Sequence, residues 1–387
     1  MFNGLHLTQR HYFHRHLQKQ LQELYATVAI MDFALAAVIV FEPIYLWQKG
    51  YGVVSIMTYY LVVYGLYFFL APLGGSIVAR FGPARSISMS TVFLAAYYGA
   101  LLLIAVDPMW FWVAPVLFAV QKMLYWPAYH VDFLENSDPK EQAKEYSALW
   151  SLSTAVAVLG PAIGGVVASV FGFTTLFIGA MILILLSSIP LFIVTKKHIP
   201  ASFPWHTNLL NLFRRENSSR LVGFLGLGEE LILLTIWPLF LALSFKNFET
   251  FGGAVAAATL ITALCTLALG EYLDHHQPKQ PLRFSAFFTI VIWLTRPFLH
   301  SLKLVFLSDT IGRFFKNGSF VSTASLVYQR ARADGRYLRH AVMFEQGFAV
   351  AKILAAVCVI VLSAWWSPFT VSFIVAGAFS LFYFFLS

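Results

Sequence analysis

Apolar residues run along this chain in blocks of roughly membrane-spanning length, separated by short polar breaks. The blocks fall at approximately 25–47, 53–79, 86–106, 109–134, 145–171 and 173–195. A longer polar segment covers 196–219, and six more blocks follow at 220–245, 251–272, 284–301, 303–328, 340–364 and 367–386. A helix needs about 20 apolar residues to cross the hydrocarbon core of a bilayer, so each block suffices for one span. The pattern predicts an all-α polytopic membrane protein of about 12 transmembrane helices in two six-helix, pseudo-symmetric halves. Its expected parts are an N-terminal segment 1–24, a first half 25–195, a linker 196–219 and a second half 220–387. The linker holds Pro200, Pro204 and then Asn208-Leu-Leu-Asn-Leu-Phe-Arg-Arg215. That mixture of apolar and basic residues suits a short helix on the membrane surface.

Composition agrees: 59% of the 387 residues are hydrophobic, 17% are aromatic and only 11% are charged. This excludes an ordinary soluble enzyme, a disordered regulator and a disulfide scaffold. A net charge of +8 would suggest nucleic acid on a soluble domain, but here the basic residues sit in short loops, so no nucleic-acid partner is expected. Most Lys and Arg fall on one side if the N-terminus is inside, leaving Lys49, Lys246 and Lys303 opposite. The positive-inside rule then places both termini in the cytoplasm. Residues 1–24 carry Arg10, Arg15 and Lys19 without an apolar core or a small-residue cleavage site, so they read as a basic surface segment, not a cleavable signal. A bacterial inner membrane is the expected location. His6, His11, His14 and His16 have no acidic or Cys companions for a metal, and Cys265 and Cys358 read as packing residues. No metal or cofactor is expected.

The halves align at a constant offset of 195. Phe41-Glu-Pro-Ile-Tyr-Leu46 meets Ile236-Trp-Pro-Leu-Phe-Leu241, pairing Pro43 with Pro238, and Gly75 meets Gly270. Duplicated halves around a midplane site are a transporter architecture. Gly75-Ser-Ile-Val-Ala-Arg80-Phe-Gly82-Pro-Ala-Arg85 then resembles the loop motif between helices 2 and 3 of the major facilitator superfamily. It departs from that motif at Ala79, where the family carries an acid. Gly270-Glu-Tyr-Leu-Asp274 keeps the acid in the second half, as Asp274, without the following Arg-x-Gly. Gly160-Pro-Ala-Ile-Gly-Gly165 in helix 5 is similar to the signature of the family's antiporters. The resemblance covers the whole chain and implies a secondary transporter without enzymatic activity, monomeric, resembling the proton-coupled antiporters. It also implies that the loop around Arg80 and Arg85 stabilises one transport conformation. With Ala79 unable to pair, Asp132, Glu135 or Glu145 is the expected partner of Arg80. Independently of the family, Gly160, Gly164 and Ala168 form a small-residue seam for close helix approach, and Pro161 permits a bend.

Ionisable groups deep in a membrane are costly and face a cavity or a partner. Lys122, Glu229, Glu230, Arg313, Lys316 and Lys352 fall near the midplane of their spans. Asp309, Arg313 and Lys316 share a face of helix 10, and Glu345 and Lys352 share one of helix 11. One reading pairs these groups among themselves. A second makes Lys122, Arg313, Lys316 and Lys352 a receiver for an anionic substrate group. A third makes Asp32, Glu229, Glu230 or Glu345 a proton carrier, with one of the adjacent Glu229 and Glu230 facing the cavity, since neighbours diverge by about 100°. Tyr60, Tyr64, Tyr67 and Phe68 form a stripe on helix 2; Lys122, Tyr125, Trp126 and Tyr129 share a face of helix 4. Buried Tyr and Trp need partners for their polar atoms, which makes these faces candidate walls of a substrate site.

The function expected is alternating-access transport of a small organic solute, amphipathic or anionic, by proton-coupled export. Uptake by symport and carriage of a lipid-like amphiphile are the alternatives within that class. Outside it stand a membrane-embedded enzyme, with His275-His276 beside Asp274 as its nearest catalytic cluster, and a non-transporting sensor. Nothing resembles a phosphate-binding Gly-x-x-x-x-Gly-Lys loop.

Overall fold

A computed structural model describes residues 19–136, 142–189, 201–245, 247–274 and 279–386. The N-terminal histidines and His275-His276 lie outside the described residues, and Gly270 and Asp274 are described only as helical backbone.

Helix α1 comprises Lys19–Val38 and, after a short turn, Glu42–Gln48. It is followed by α2 (Val53–Phe81), α3 (Pro83–Leu103), α4 (Trp110–Asn136), α5 (Gln142–Val170) and α6 (Gly172–Leu186). The second half begins with α7, whose span Arg215–Ser244 is built from short helical pieces, and continues through α8 (Phe248–Asp274) and α9 (Lys279–Thr295). Then come α10 (Leu302–Asp334), α11 (Tyr337–Leu362) and α12 (Pro368–Ser380). Among the described residues, twelve helices in two sets of six are therefore present. Six of them are long and apolar enough to cross a bilayer by length and composition over the described residues, and α5, α6 and α8 add shorter apolar stretches.

The paired prolines explain a shared irregularity. A proline removes a backbone donor and crowds the preceding turn. Helix α1 breaks just before Glu42-Pro43, and α7 breaks at Thr235 (φ −120°, ψ −65°), ahead of Pro238. Both first helices of the repeat are thus bent at matching places. Gly82 (φ 87°) and Gly335 (φ 63°) supply the left-handed turns that reverse the chain after α2 and α10. Beside the second turn, Asp334 meets His340 Nε2 at 2.7 Å, and this hydrogen bond holds its carboxyl below the usual range.

Polarity is inverted relative to a soluble protein. Phe69, Val92, Leu159, Val170, Leu264 and Phe287 are exposed, whereas Glu229, Lys352 and Arg296 are buried. Such a surface suits lipid, where backbone groups must be satisfied within helices.

The halves meet chiefly through α2 against α11 and α5 against α8. The α5 seam serves two neighbours. A Cβ on Gly160 would lie 2.5 Å from the Ala36 side chain, and one on Gly164 would strike the Ala37 carbonyl, so that face holds α1. Gly165 packs on the Phe248 carbonyl and Gly252 on the Pro161 carbonyl, which holds α8. Phe41 adds edge-to-face contacts to Phe248 and Phe251 at 6.2 and 5.5 Å. These contacts lie at the end of the molecule away from the linker. At the linker end, Gly75 leaves room for Phe203 of the linker and Val342 of α11. Cross-half contacts are therefore made at both ends.

Candidate functional site

The tyrosine stripe of α2 faces the interior, and each phenol meets a different ionisable partner. Tyr60 donates to Glu42 Oε2 at 3.2 Å, Tyr67 donates to Glu345 Oε2 at 2.8 Å, and Tyr64 Oη accepts from Lys352 Nζ at 3.0 Å. Helical spacing of i, i+4 and i+7 thus places three buried hydroxyls along one face of α2, two of them bonded to the second half.

Around Tyr64 lies the central charge cluster. Lys316 Nζ is 2.6 Å from Glu229 Oε1 and 3.2 Å from Glu230 Oε2, and Lys352 Nζ is 3.3 Å from Glu230 Oε1. Trp293 Nε1 donates to Glu229 Oε2 at 3.0 Å, and Lys316 donates to Tyr383 Oη at 3.3 Å. The expectation that only one of Glu229 and Glu230 faces inward is not met, because both reach Lys316. The chain enters this stretch through a tight three-residue-per-turn segment, Leu225–Gly228, and the long stem of Lys316 spans the angle between the two carboxylates.

Lys122 is treated differently. Its ammonium lies over Phe118 at 4.2 Å and toward the Tyr64 ring at 5.4 Å. Among the described residues it has no carboxylate within ion-pair distance. Its helical neighbours Trp126 and Tyr129 pack on one another and on His130, at ring separations of 5.5–6.0 Å. Arg313, expected to join the cationic group, instead donates its Nε to Asp309 Oδ2 of its own helix at 2.9 Å. Asp32 on α1 is half-buried and has partners of its own.

Toward the linker end, one carboxylate ties the halves together. Glu345 of α11 accepts from Tyr67 and stands 2.8 Å from His130 Nε2 of α4. With that nitrogen as donor, Nδ1 is the acceptor for the Tyr328 hydroxyl at 2.6 Å. All four side chains are buried. The neighbouring linker lies against both halves. Ala201 N–H donates to the Ala79 carbonyl, Ser76 Oγ donates to the Phe203 carbonyl at 2.7 Å, and Gln346 Nε2 donates to the Leu209 carbonyl at 2.8 Å. Arg80 and Arg85 are exposed. Arg80 lies over Phe81 at 5.3 Å and forms no ion pair with the described side chains, outside which Glu135 and Glu145, two of its expected partners, lie.

Several interior groups escaped the sequence reading. Glu42 is buried and also accepts from Tyr97 and Tyr98, at 3.0 and 2.5 Å. The signal available was its place beside Pro43, opposite Trp237 in the repeat. His130 extends the face of Lys122 and Trp126 at i+8, a spacing that would have found it. In the second half, the Arg296 guanidinium lies between Trp237 and Trp293, at 3.6 and 3.8 Å. Trp237 Nε1 donates to Asp309 at 2.7 Å.

Buried ionisable side chains of both signs thus lie between the two six-helix halves. No protein-family model and no curated protein sequence matches the chain significantly. Solved structures do match in fold. The human organic anion transporter MFSD10 (TETRAN) superposes with a TM-score of 0.68 at 14% identity, over 96% of this chain and 100% of that one. A variant of the E. coli fucose:proton symporter FucP gives 0.67 at 12% identity, over 95% and 97%. FucP in the outward conformation gives 0.67 at 11%, over 94% and 96%. The chain has the fold of the major facilitator superfamily transporters.

Proposed function

We propose that this protein is a secondary active transporter that moves a small organic solute across the membrane by rocking its halves about the central charge cluster, driven by a proton gradient. The observation that carries the reading is the Glu345 contact with His130 and Tyr67. It is a buried polar link between halves, made at one end, whose making and breaking would gate access from that side. At the opposite end the close approach of Gly165 and Gly252 would gate the other. Alternating access requires two such closures, each formed while the other opens.

Proton coupling is supported by the number of carboxylates held inside, and by the presence of a proton symporter among the structural neighbours. Glu229 and Glu230 are committed to lysines, which suits a structural role. Glu345 and Glu42 are bonded to neutral or switchable donors, which suits proton exchange. The orientation proposed places the linker and both termini in the cytoplasm. The test is flux in vesicles reconstituted with the full chain, under an imposed pH gradient and with an internal pH dye. Solute-dependent proton movement across a panel of organic acids, sugars and amines supports the reading; none with any of them overturns it.

A further inference from the structure

The internal repeat singles out one lysine. Lys316 of α10 and Lys122 of α4 occupy matching places, within one residue of the constant offset, in the middle of their spans. Lys316 is neutralised by Glu229 and Glu230 of α7. The α1 positions that match those acids are Ala34 and Leu35. The first half therefore keeps the lysine and lacks acids at the matching positions. A buried ammonium with no carboxylate at ion-pair distance is disfavoured in a low-dielectric interior, and the aromatic faces of Phe118 and Tyr64 compensate only in part. The walls beside it are apolar and aromatic, with Tyr97 stacked on Phe118 at 4.4 Å.

Glu42 is the complement. Its carboxylate accepts from Tyr60, Tyr97 and Tyr98, and no cation lies within ion-pair distance among the described residues. The charged and titratable groups facing it are Tyr59 and Tyr60 of α2, Tyr97 and Tyr98 of α3, and Lys122 of α4. A contact chain joins it to Lys122 through Tyr97 and Phe118, and Tyr60, bonded to Glu42, stands one helical turn from Tyr64, whose ring Lys122 approaches. Within this part of the interior, Lys122 is the cation whose charge acts on Glu42, so the two groups balance one another.

We infer that Lys122 and Glu42 form a joint site for one organic monoanion with an aromatic or apolar body and one proton, so that transport is an electroneutral symport. This rests on the transporter reading above. The arriving anion takes Lys122 as its counterion and leaves Glu42 as an unbalanced negative charge. A hydronium proton from the loading side, which leaves water behind, then binds a Glu42 oxygen, and the new O–H donates to a phenol that rotates from donor to acceptor. No other bond changes, and Lys122, Glu42 and the anion together carry the same total charge loaded as the empty pair does.

The test uses the purified full chain in detergent with benzoate, neutral benzamide and cationic benzamidine as probes, read by thermal unfolding and titrated at pH 6, 7 and 8. Benzoate is expected to raise Tm by about 3 °C or more, with apparent affinity weakening by about tenfold per pH unit; benzamide and benzamidine leave Tm unchanged. Lys122→Gln abolishes the benzoate effect and Lys122→Arg restores it, which separates charge from folding. Glu42→Gln keeps benzoate binding and flattens its pH dependence. The proposal is overturned if benzoate fails to stabilise the wild-type chain at any pH, or stabilises Lys122→Gln equally. A better response to benzamide or benzamidine, or an unaltered pH dependence in Glu42→Gln, also overturns it. Solute-dependent proton flux in vesicles alongside any of these outcomes leaves the transporter reading standing and removes only the anion site. Proton movement opposite to the solute, the antiport implied by the α5 resemblance, likewise removes the symport.

Discussion

His130 of α4 reaches across the interface between the halves to Glu345 of α11, with 2.8 Å between Nε2 and Oε1 and both side chains buried. Each hydrogen bond to a charged group contributes about 1.5–3 kcal/mol, and Glu345 accepts one from His130 and another from Tyr67. Loss of this carboxylate therefore favours opening at the linker end. In a background lacking Cys265 and Cys358, alkylation of Ala71→Cys is expected to accelerate by about tenfold or more in Glu345→Ala. Glu345→Gln, which retains one acceptor oxygen, should fall between the two.

Two adjacent glycines in α8 separate close packing from mere flexibility. A Cβ at Gly252 would strike the Pro161 carbonyl, while one at Gly253 would meet nothing within 4 Å. Overpacking costs about 1–3 kcal/mol. Gly252→Ala should hold the far end open and reduce transport by tenfold or more, measured as initial rate in vesicles, while Gly253→Ala stays near wild type.

The central ion pairs are expected to behave as buried pairs do. Removing one partner strands a charge, at a cost of about 3–5 kcal/mol. Lys316→Met should lower Tm in detergent sharply, because Glu229 loses its nearest cation at 2.6 Å. The double variant Lys316→Met with Glu229→Gln should recover most of the loss, since no uncompensated charge remains at that contact.

Gly75 sits where linker and α11 converge. An added Cβ would lie 2.8 Å from the Phe203 ring and 2.9 Å from Val342. Gly75→Ala should therefore slow transport, and adding Phe203→Ala should restore part of the rate. Absence of any coupling between the two substitutions would show that the linker contact does not control packing there.

The twelve spans and the matched breaks in α1 and α7 were legible because bilayer thickness dictates block length and proline dictates where a helix yields. That Glu229, Lys316 and Lys352 had to be satisfied inside was equally legible, since an ionised group in a span needs a partner or water. Which partner each takes was not. Arg313 turned to Asp309 one turn away, while both Glu229 and Glu230 converged on Lys316; those choices depend on inter-helix distances that no local pattern encodes. Glu42 was hidden for another reason. At the end of an apolar block and next to a proline, it reads as an interfacial residue, and only the three phenols brought by α2 and α3 show it to be interior.

The central claim is that the halves rock about a shared site. The most direct test is the distance between spin labels, in a background lacking the native cysteines, across each end of the reconstituted protein. One pair replaces the exposed Arg80 and Arg336 at the linker end, and the other the exposed Lys49 and Trp366 at the far end. Between pH 6 and pH 8, with and without transported solute, one distance should lengthen as the other shortens. Two distance distributions unchanged under all four conditions would contradict the account.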